Sequence, residues 1–115
     1  MRTVDEVLPG AAASRLKSYR RSVEGALPNF EKLILFGSRA RGQAGPDSDY
    51  DVAVVVRHLT DRRRVRRMLS DLAYEHVLDG FYIRPIPIPS GDLEMGVRRP
   101  TELVEDIVCD GAEVT

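Results

Sequence analysis

Two aspartates at a spacing of two, Asp49 and Asp51, are the residues of this chain best suited to chemistry. The apolar run Val52 to Val56 follows them and predicts a strand that begins near residue 50. Because strand side chains alternate between faces, both carboxylates point the same way, within ~7 Å of each other. Two carboxylates this close repel unless a cation lies between them, and hard oxygen ligands beside a phosphate suit Mg²⁺ or Mn²⁺. The spacing therefore predicts a divalent metal site.

A second polar motif, Gly37 followed by Ser38, ends the preceding apolar strand. Glycine permits a sharp turn or a close approach of backbone to a ligand, and the Ser38 hydroxyl and amide N–H can both donate to a phosphate at the start of a helix. Arg39 and Arg41 follow in one predicted helical turn that Gly42 stops. Either arginine could bind a triphosphate, or either could simply face solvent. Gly37 and Ser38 are thus predicted to hold phosphate groups.

The two motifs together match a known family pattern. Gly37-Ser38, ten intervening residues and Asp49-x-Asp51 resemble the signature of the DNA polymerase beta-like nucleotidyltransferase superfamily. The short chain and its Gly-Ser-Arg-Ala-Arg-Gly segment are similar to the minimal nucleotidyltransferases, the antitoxin partners of HEPN toxins. The resemblance covers about residues 30–90.

The resemblance implies a polymerase beta palm-like fold and an enzyme that binds ATP with Mg²⁺ or Mn²⁺. It implies transfer of AMP to a hydroxyl group of a partner protein, such as a tyrosine of a HEPN-type toxin, in a hetero-oligomer with this chain. Asp49 and Asp51 would then be catalytic metal ligands. The nucleotide-binding residues would be Gly37, Ser38, Arg39 and Arg41.

One part of that family pattern is missing. Fully active relatives carry a third carboxylate on a later strand, facing the aspartate pair as a ligand or a base. The corresponding strand here, Phe81 to Ile88, contains no acid and has Arg84 at the polar position. Asp79 and Glu75 are alternative carboxylates, although an aspartate before glycine more often caps a turn and a helix-surface glutamate more often faces solvent. The missing acid lowers the expected rate of transfer more than it lowers nucleotide affinity.

Three functions stay open on this pattern. The first is adenylyl transfer to a partner protein. The second is a catalytically silent antitoxin that neutralises its partner by contact; the missing acid favours it, and the intact aspartate pair opposes it. The third, transfer to a small molecule such as an aminoglycoside, is disfavoured because such enzymes usually add a substrate domain.

The elements that must position these motifs predict a single domain over residues 1–115, of α/β (α+β) class, with helices against a mixed sheet of three or four strands. The final strand is predicted to lie at an edge, because its prolines cannot donate ladder hydrogen bonds. The predicted elements are an N-terminal helix over 11–27, strands Lys32–Phe36 and Tyr50–Val56, a helix from Thr60 or Asp61 to Leu78, strand Phe81–Ile88, and a C-terminal helix over 101–109.

The composition limits which binding partners and which cellular compartment are expected. A net charge of −1 over 115 residues argues against a protein that coats nucleic acid, so direct nucleic-acid binding is not expected. The basic run Arg62 to Arg67 is typical of a solvated helix face, with RNA or an acidic protein as the alternative partner. Cys109, the one cysteine, is predicted to be a small core residue in a reducing compartment. No apolar run approaches the ~18 residues of a membrane span, which predicts a cytoplasmic protein.

Overall fold

The computed structural model describes residues 1–95 and 101–115 as a β-sheet with helices on both faces. None of the described helices combines the length and the apolar character that crossing a bilayer requires. In chain order the elements are β1 Arg2–Thr3, α1 Val4–Val7, α2 Gly10–Ala26, β2 Phe30–Phe36, α3 Ser38–Arg41, β3 Tyr50–Val56, α4 Arg62–Leu78, β4 Ile83–Pro89, α5 Ser90–Met95, α6 Glu102–Asp110 and β5 Ala112–Val114.

The sheet is mixed, with the strand order β1-β5-β2-β3-β4. β2 runs antiparallel to β3 and β5, whereas β3 is parallel to β4 and β1 is parallel to β5. The predicted α/β class with a mixed sheet is confirmed, but the described residues form five strands in that sheet and not three or four. The additional strands, β1 and β5, have two and three residues, which is too short for an alternating pattern to be visible in the sequence.

Strand β3, which lies between β2 and β4, is buried on both faces. Its even-numbered valines belong to the core under α2 and α4, whereas Ala53 and Val55 belong to a second core beneath Ile107 of α6. Burial on both faces explains why its sequence is a near-continuous apolar run. Because strand side chains alternate, Asp51 lies on the same face as Ala53 and Val55, toward α6.

Strand β4 lies at an edge of the sheet, as its prolines predict. Among the described strands it pairs with β3 alone, in a parallel register that places Arg84 opposite Asp51 and Pro87 opposite Val54. The Pro87 carbonyl accepts a hydrogen bond of 3.1 Å from Arg62 at the start of α4. An edge position tolerates proline because one side of the strand needs no ladder donors.

Helix α4 has the ends that the sequence predicts. The Asp61 carboxylate caps its first turn by accepting from the Arg64 backbone N–H at 3.1 Å. Gly80, with φ of +84°, turns the chain away two residues after the helix ends at Leu78. The arginines of its first two turns are exposed, which agrees with a solvated helix face.

The prediction that Cys109 is a core residue is wrong. Helix α6 buries Val104 and Ile107, whereas Cys109 is exposed and Val108 is 60% exposed. Cys109 lies two residues after Ile107, about 200° around the helix at 3.6 residues per turn, so it faces away from the sheet.

His76 is the one buried polar or charged side chain among the described residues, at 2% exposure. Its ring meets Tyr19 edge to face, with ring centroids 6.1 Å apart, and its Nδ1 lies 3.3 Å from Nη1 of Arg15. Arginine can only donate, so Nδ1 accepts and the proton of the neutral ring is on Nε2. Burial lowers the pKa of His76 below its ordinary value of 6.5, Glu75 and Asp79 raise it, and Arg15 lowers it further.

We expect the free energy of unfolding to fall as pH drops below 6.5, because the unfolded chain then protonates His76 while the folded chain keeps it neutral. The loss continues down to the lowered pKa of the folded state. His76→Gln should flatten this slope, whereas His58→Gln, at an exposed histidine, should not. Urea unfolding at pH 7.5, 6.5 and 5.5 measures the slopes. If the free energy of unfolding depended on pH equally in the wild type and in His76→Gln, protonation of His76 would not be the cause of the loss of stability.

Candidate functional site

Gly37 ends β2 in a backbone conformation that other residues avoid. Its φ of +76° and ψ of −158° lie in a region essentially reserved for glycine. A Cβ at this position would lie 2.7 Å from Oδ2 of Asp51, so a larger residue would collide with that carboxylate. Glycine therefore lets the end of β2 approach the aspartate closely.

Asp51 lies on β3, and its partners on the two neighbouring strands are Phe36 of β2 and Arg84 of β4. Nε of Arg84 lies 2.8 Å from Oδ1 of Asp51, which makes an ion pair across the sheet. The contact is not aligned as a good hydrogen bond, so Arg84 meets the buried Oδ1 mainly as a partner of opposite charge. The Asp51 side chain is 18% exposed and that of Arg84 is 62% exposed.

The electrostatic environment of Asp51 disfavours its charged form. Burial raises the pKa of the Asp51 carboxyl above its ordinary range, and the nearby Asp49 charge raises it further. Arg84 lowers the pKa, and so does Arg41, but neither reverses the rise. Asp51 is therefore a carboxylate that would gain from a stronger cationic partner than the exposed arginine.

Asp49 lies just before β3 and is exposed. Its charge contributes to the raised pKa of Asp51, so the two carboxylates interact as their spacing of two predicts. Asp49 does not line the cavity described below, whereas Asp51 does. The two aspartates are thus unequal: one is half enclosed by the sheet, and the other stands at its rim.

An open cavity of about 610 Å³ extends from Asp51 toward α6. Ser38, half-buried at the first position of α3, also lines it. The contribution of α6 was not predicted, because its residues follow the motif region by half the chain and have no spacing signal of their own. The described residues that line the cavity are Phe36, Gly37, Ser38, Arg41, Asp51, Arg84, Thr101, Glu102, Leu103 and Asp106.

The Arg39 side chain is hydrogen-bonded to the loop that follows α3. Its guanidinium donates to the carbonyls of Ser48 at 2.9 Å and Pro46 at 3.2 Å, and it lies 4.3 Å from the centre of the Tyr50 ring. These contacts fix the loop that leads into Asp49. Arg39 therefore holds the site in shape, and it does not line the cavity.

Arg41 is exposed and lines the cavity. Its Nε donates to Oε1 of Gln43 at 3.1 Å, and its Nη1 lies 3.6 Å from Oδ2 of Asp110. Such exposed contacts contribute little to stability and are easily exchanged. Of the two arginines, Arg41 is the one placed to meet an anionic ligand.

Substituting the two arginines by glutamine should separate these roles. Arg39→Gln should lower the free energy of unfolding by about 1–2 kcal/mol, because charge-assisted hydrogen bonds to the loop are lost. Arg41→Gln should stay within about 0.5 kcal/mol of the wild type, because its contacts are exposed, yet should weaken ATP binding about tenfold. Urea unfolding and titration calorimetry with ATP and Mg²⁺ test both. If Arg39→Gln weakened ATP binding and Arg41→Gln lowered the free energy of unfolding, the roles of the two arginines would be the reverse.

Asp79 and Glu75, the alternative carboxylates, lie elsewhere. Asp79 forms an ion pair of 2.8 Å with Arg15, and both acids line a separate cavity with His76. Neither lines the cavity that contains Asp51. The carboxylates that do share that cavity are Glu102 and Asp106 of α6.

The aspartate pair fits a divalent ion only if a nucleotide completes the ligand set. Residues 1–95 and 101–115 contain no group of three or more His, Cys, Asp or Glu side chains that could hold a metal alone. Mg²⁺ commonly binds through one or two carboxylates, substrate phosphates and waters. The Asp51 carboxylate, whose Oδ1 has no well-aligned hydrogen bond, and the nearby Asp49 carboxylate suit that arrangement.

Sequence comparisons agree with the motif. A family model described as the nucleotidyltransferase domain matches residues 16–98. An inferred protein adenylyltransferase of Methanocaldococcus jannaschii is 40% identical over 65 residues, a match that covers 55% of this chain and 44% of that protein. The match thus spans less than half the length of that relative.

Two solved structures share the fold. A toxin-antitoxin structure with AMP-PNP has a TM-score of 0.59 at 21% identity, covering 90% of this chain and 72% of that one. A tri-AMPylated Shewanella oneidensis HEPN toxin in complex with MNT antitoxin has a TM-score of 0.54 at 19% identity, covering 91% of this chain and 70% of that one. At these identities the likeness shows the fold alone.

Proposed function

The chain belongs to the nucleotidyltransferase domain family, and from that premise we propose that it binds ATP with Mg²⁺ or Mn²⁺ and transfers AMP to a hydroxyl group of a partner protein. The observation that carries the proposal is the contact between Gly37 and Asp51, where the absence of a side chain lets the end of β2 approach a half-buried carboxylate beside an open cavity. Four motif residues, Gly37, Ser38, Arg41 and Asp51, thereby line one cavity.

The site residues have separate tasks in this proposal. Asp49 and Asp51 would hold the divalent ion, which when bound neutralises triphosphate charge. Gly37 and Ser38 would lie against the phosphates, and Arg41 would add positive charge from the cavity wall. Arg39 would act indirectly by fixing the loop before Asp49.

The proposed transfer is a displacement at the α-phosphorus of ATP. The acceptor oxygen forms a bond to that phosphorus, the bond to the oxygen that bridges to the β-phosphate breaks, and pyrophosphate leaves. The acceptor hydroxyl proton passes to a base. Glu102 and Asp106 are carboxylates on the cavity wall that could receive it in place of the absent acid on β4.

The acceptor we propose is a HEPN-type toxin, with this chain as its antitoxin. Support comes from the Shewanella oneidensis neighbour, whose toxin is AMPylated and bound to an MNT antitoxin. The adenylyltransferase relative in Methanocaldococcus jannaschii supports transfer to a protein.

A second candidate is a silent antitoxin that neutralises its partner by contact. The pairing of Arg84 with Asp51 favours it, because a cation occupies the side of Asp51 where active relatives place a third acid. In that case nucleotide would be unnecessary for neutralisation.

Mass spectrometry of a HEPN-type toxin incubated with the chain, ATP and Mg²⁺ distinguishes the two functions. We expect AMP on a toxin hydroxyl with the wild-type chain and none with Asp51→Asn. Asp47→Asn, at an exposed loop aspartate, is the matched control and should act like the wild type. If no AMP is added, yet wild type and Asp51→Asn neutralise the toxin equally, the silent antitoxin is correct.

A further inference from the structure

We propose that Arg84 takes the place of a second cation in the site: it pairs with Asp51 until a nucleotide arrives with one divalent ion, and it then binds the triphosphate. This inference rests on the proposed nucleotide binding, but it concerns a residue to which the family motif gives no role. It explains why the third acid can be absent from a site whose other motif residues are intact.

The first support is the position of Arg84. It is the cross-strand partner of Asp51 in the parallel register of β3 and β4, and its Nε lies 2.8 Å from Oδ1. On β4 it lies two residues before Ile86, which packs with the core beneath α6, so strand alternation directs Arg84 to the same face as Asp51. Arg84 also lines the cavity.

The second support is the asymmetry of the pair. The Arg84 side chain is 62% exposed, so water can solvate it as soon as it leaves Asp51. Asp51, at 18% exposed, cannot be solvated as easily and needs a cation beside it. Because the exposed arginine loses little when water replaces the carboxylate, Arg84 is an exchangeable partner and not a fixed one.

The third support is the charge and the ligand count. A third acid would supply oxygen ligands for a second ion, whereas an arginine supplies positive charge directly. A guanidinium binds phosphate oxygens in two-point contacts, so a triphosphate in this cavity offers Arg84 better partners than Asp51 alone. Divalent ion without nucleotide must compete with Arg84 for Asp51, whereas ion and nucleotide together give Arg84 a new partner.

The inference predicts that Arg84 opposes metal binding without nucleotide and supports nucleotide binding with metal. Titrations of Mn²⁺ followed by electron paramagnetic resonance, with and without AMP-PNP, measure both without requiring transfer. Without nucleotide, Arg84→Gln should bind Mn²⁺ about tenfold more tightly than the wild type, because the competing cation is gone. With Mn²⁺ present, Arg84→Gln should bind AMP-PNP about tenfold more weakly or worse, because a charge-assisted contact is lost.

Two further variants sharpen the result. Arg63→Gln, at an exposed arginine of α4, is the matched control and should change neither affinity. Arg84→Lys keeps the charge but not the two-point geometry, so it should still weaken nucleotide-free Mn²⁺ binding while losing part of the AMP-PNP affinity. In the wild type, one Mn²⁺ should bind per chain in the presence of AMP-PNP.

The outcomes separate the inference from the proposed function. If the wild type binds Mn²⁺ and AMP-PNP together but Arg84→Gln matches it in both affinities, the role of Arg84 is overturned while nucleotide binding stands. Tighter AMP-PNP binding by Arg84→Gln, or two Mn²⁺ ions per wild-type chain, also overturns the role. A wild type that binds no AMP-PNP with Mn²⁺ overturns both.

Discussion

Asp51→Asn should lower the rate of AMP transfer by about 10³-fold or more. The folded chain should stay as stable as the wild type or become slightly more stable. A carboxylate that holds a catalytic ion contributes several kcal/mol to transition-state stabilisation, and each 1.4 kcal/mol is about tenfold in rate. The fold should not suffer, because burial already raises the pKa of this carboxyl and so disfavours its charge. Arg84, left without its partner, is exposed enough to be solvated.

Single-turnover AMP transfer and thermal melts in EDTA test the two halves of this prediction. Asp49→Asn should also abolish transfer and leave the melt unchanged, since its carboxylate is exposed. Asp47→Asn should match the wild type in both assays. A large drop in melting temperature for Asp51→Asn would make Asp51 a structural residue, and transfer at the wild-type rate would exclude it as a metal ligand.

Gly37→Ala should lose both stability and nucleotide binding. The backbone conformation at Gly37 costs a residue with a Cβ about 1–3 kcal/mol. The new Cβ would also lie 2.7 Å from Oδ2 of Asp51, so the carboxylate must move. Because that carboxylate is the proposed metal ligand, moving it should weaken binding of ATP with Mg²⁺ and slow AMP transfer by about 10²-fold.

Gly42→Ala is the matched control for that substitution. Gly42 also has a positive φ, of +72°, but a Cβ there would meet nothing within 4 Å. It should therefore lose about 1–2 kcal/mol from the backbone alone and keep its affinity for ATP with Mg²⁺. Urea unfolding and calorimetry on both variants measure the difference. If both lose stability equally and both keep nucleotide affinity, the contact of Gly37 with Asp51 has no role in binding.

Local features of the fold could be read from the sequence. The α/β class, the prolines that place β4 at an edge and the Asp61 cap of α4 each depend on neighbouring residues, whose spacing directly sets backbone geometry. The motif of Gly37 and Asp51 is local in the same sense, because the end of one strand places Gly37 and the alternation of the next strand determines where the Asp51 side chain points. The functional roles of the motif residues stay predictions.

The errors and omissions arise where one strand or helix contacts another. The two short strands of the sheet have no periodic pattern, since a strand of two or three residues is defined only by its partner. The prediction that Cys109 is buried is wrong because the predicted helix is apolar on more than one side. Only packing against the sheet selects which side of the helix is buried.

The glycine turn and the aspartate pair of nucleotidyltransferase type are visible in the sequence alone, because both are spacings within one segment. The three-dimensional fold is needed to see that Arg84 meets Asp51, that Arg39 fixes a loop while Arg41 lines the cavity, and that α6 brings Glu102 and Asp106 to the same cavity. Those contacts join residues distant along the chain. They depend on strand register and on helix packing, which the spacing of neighbouring residues does not encode.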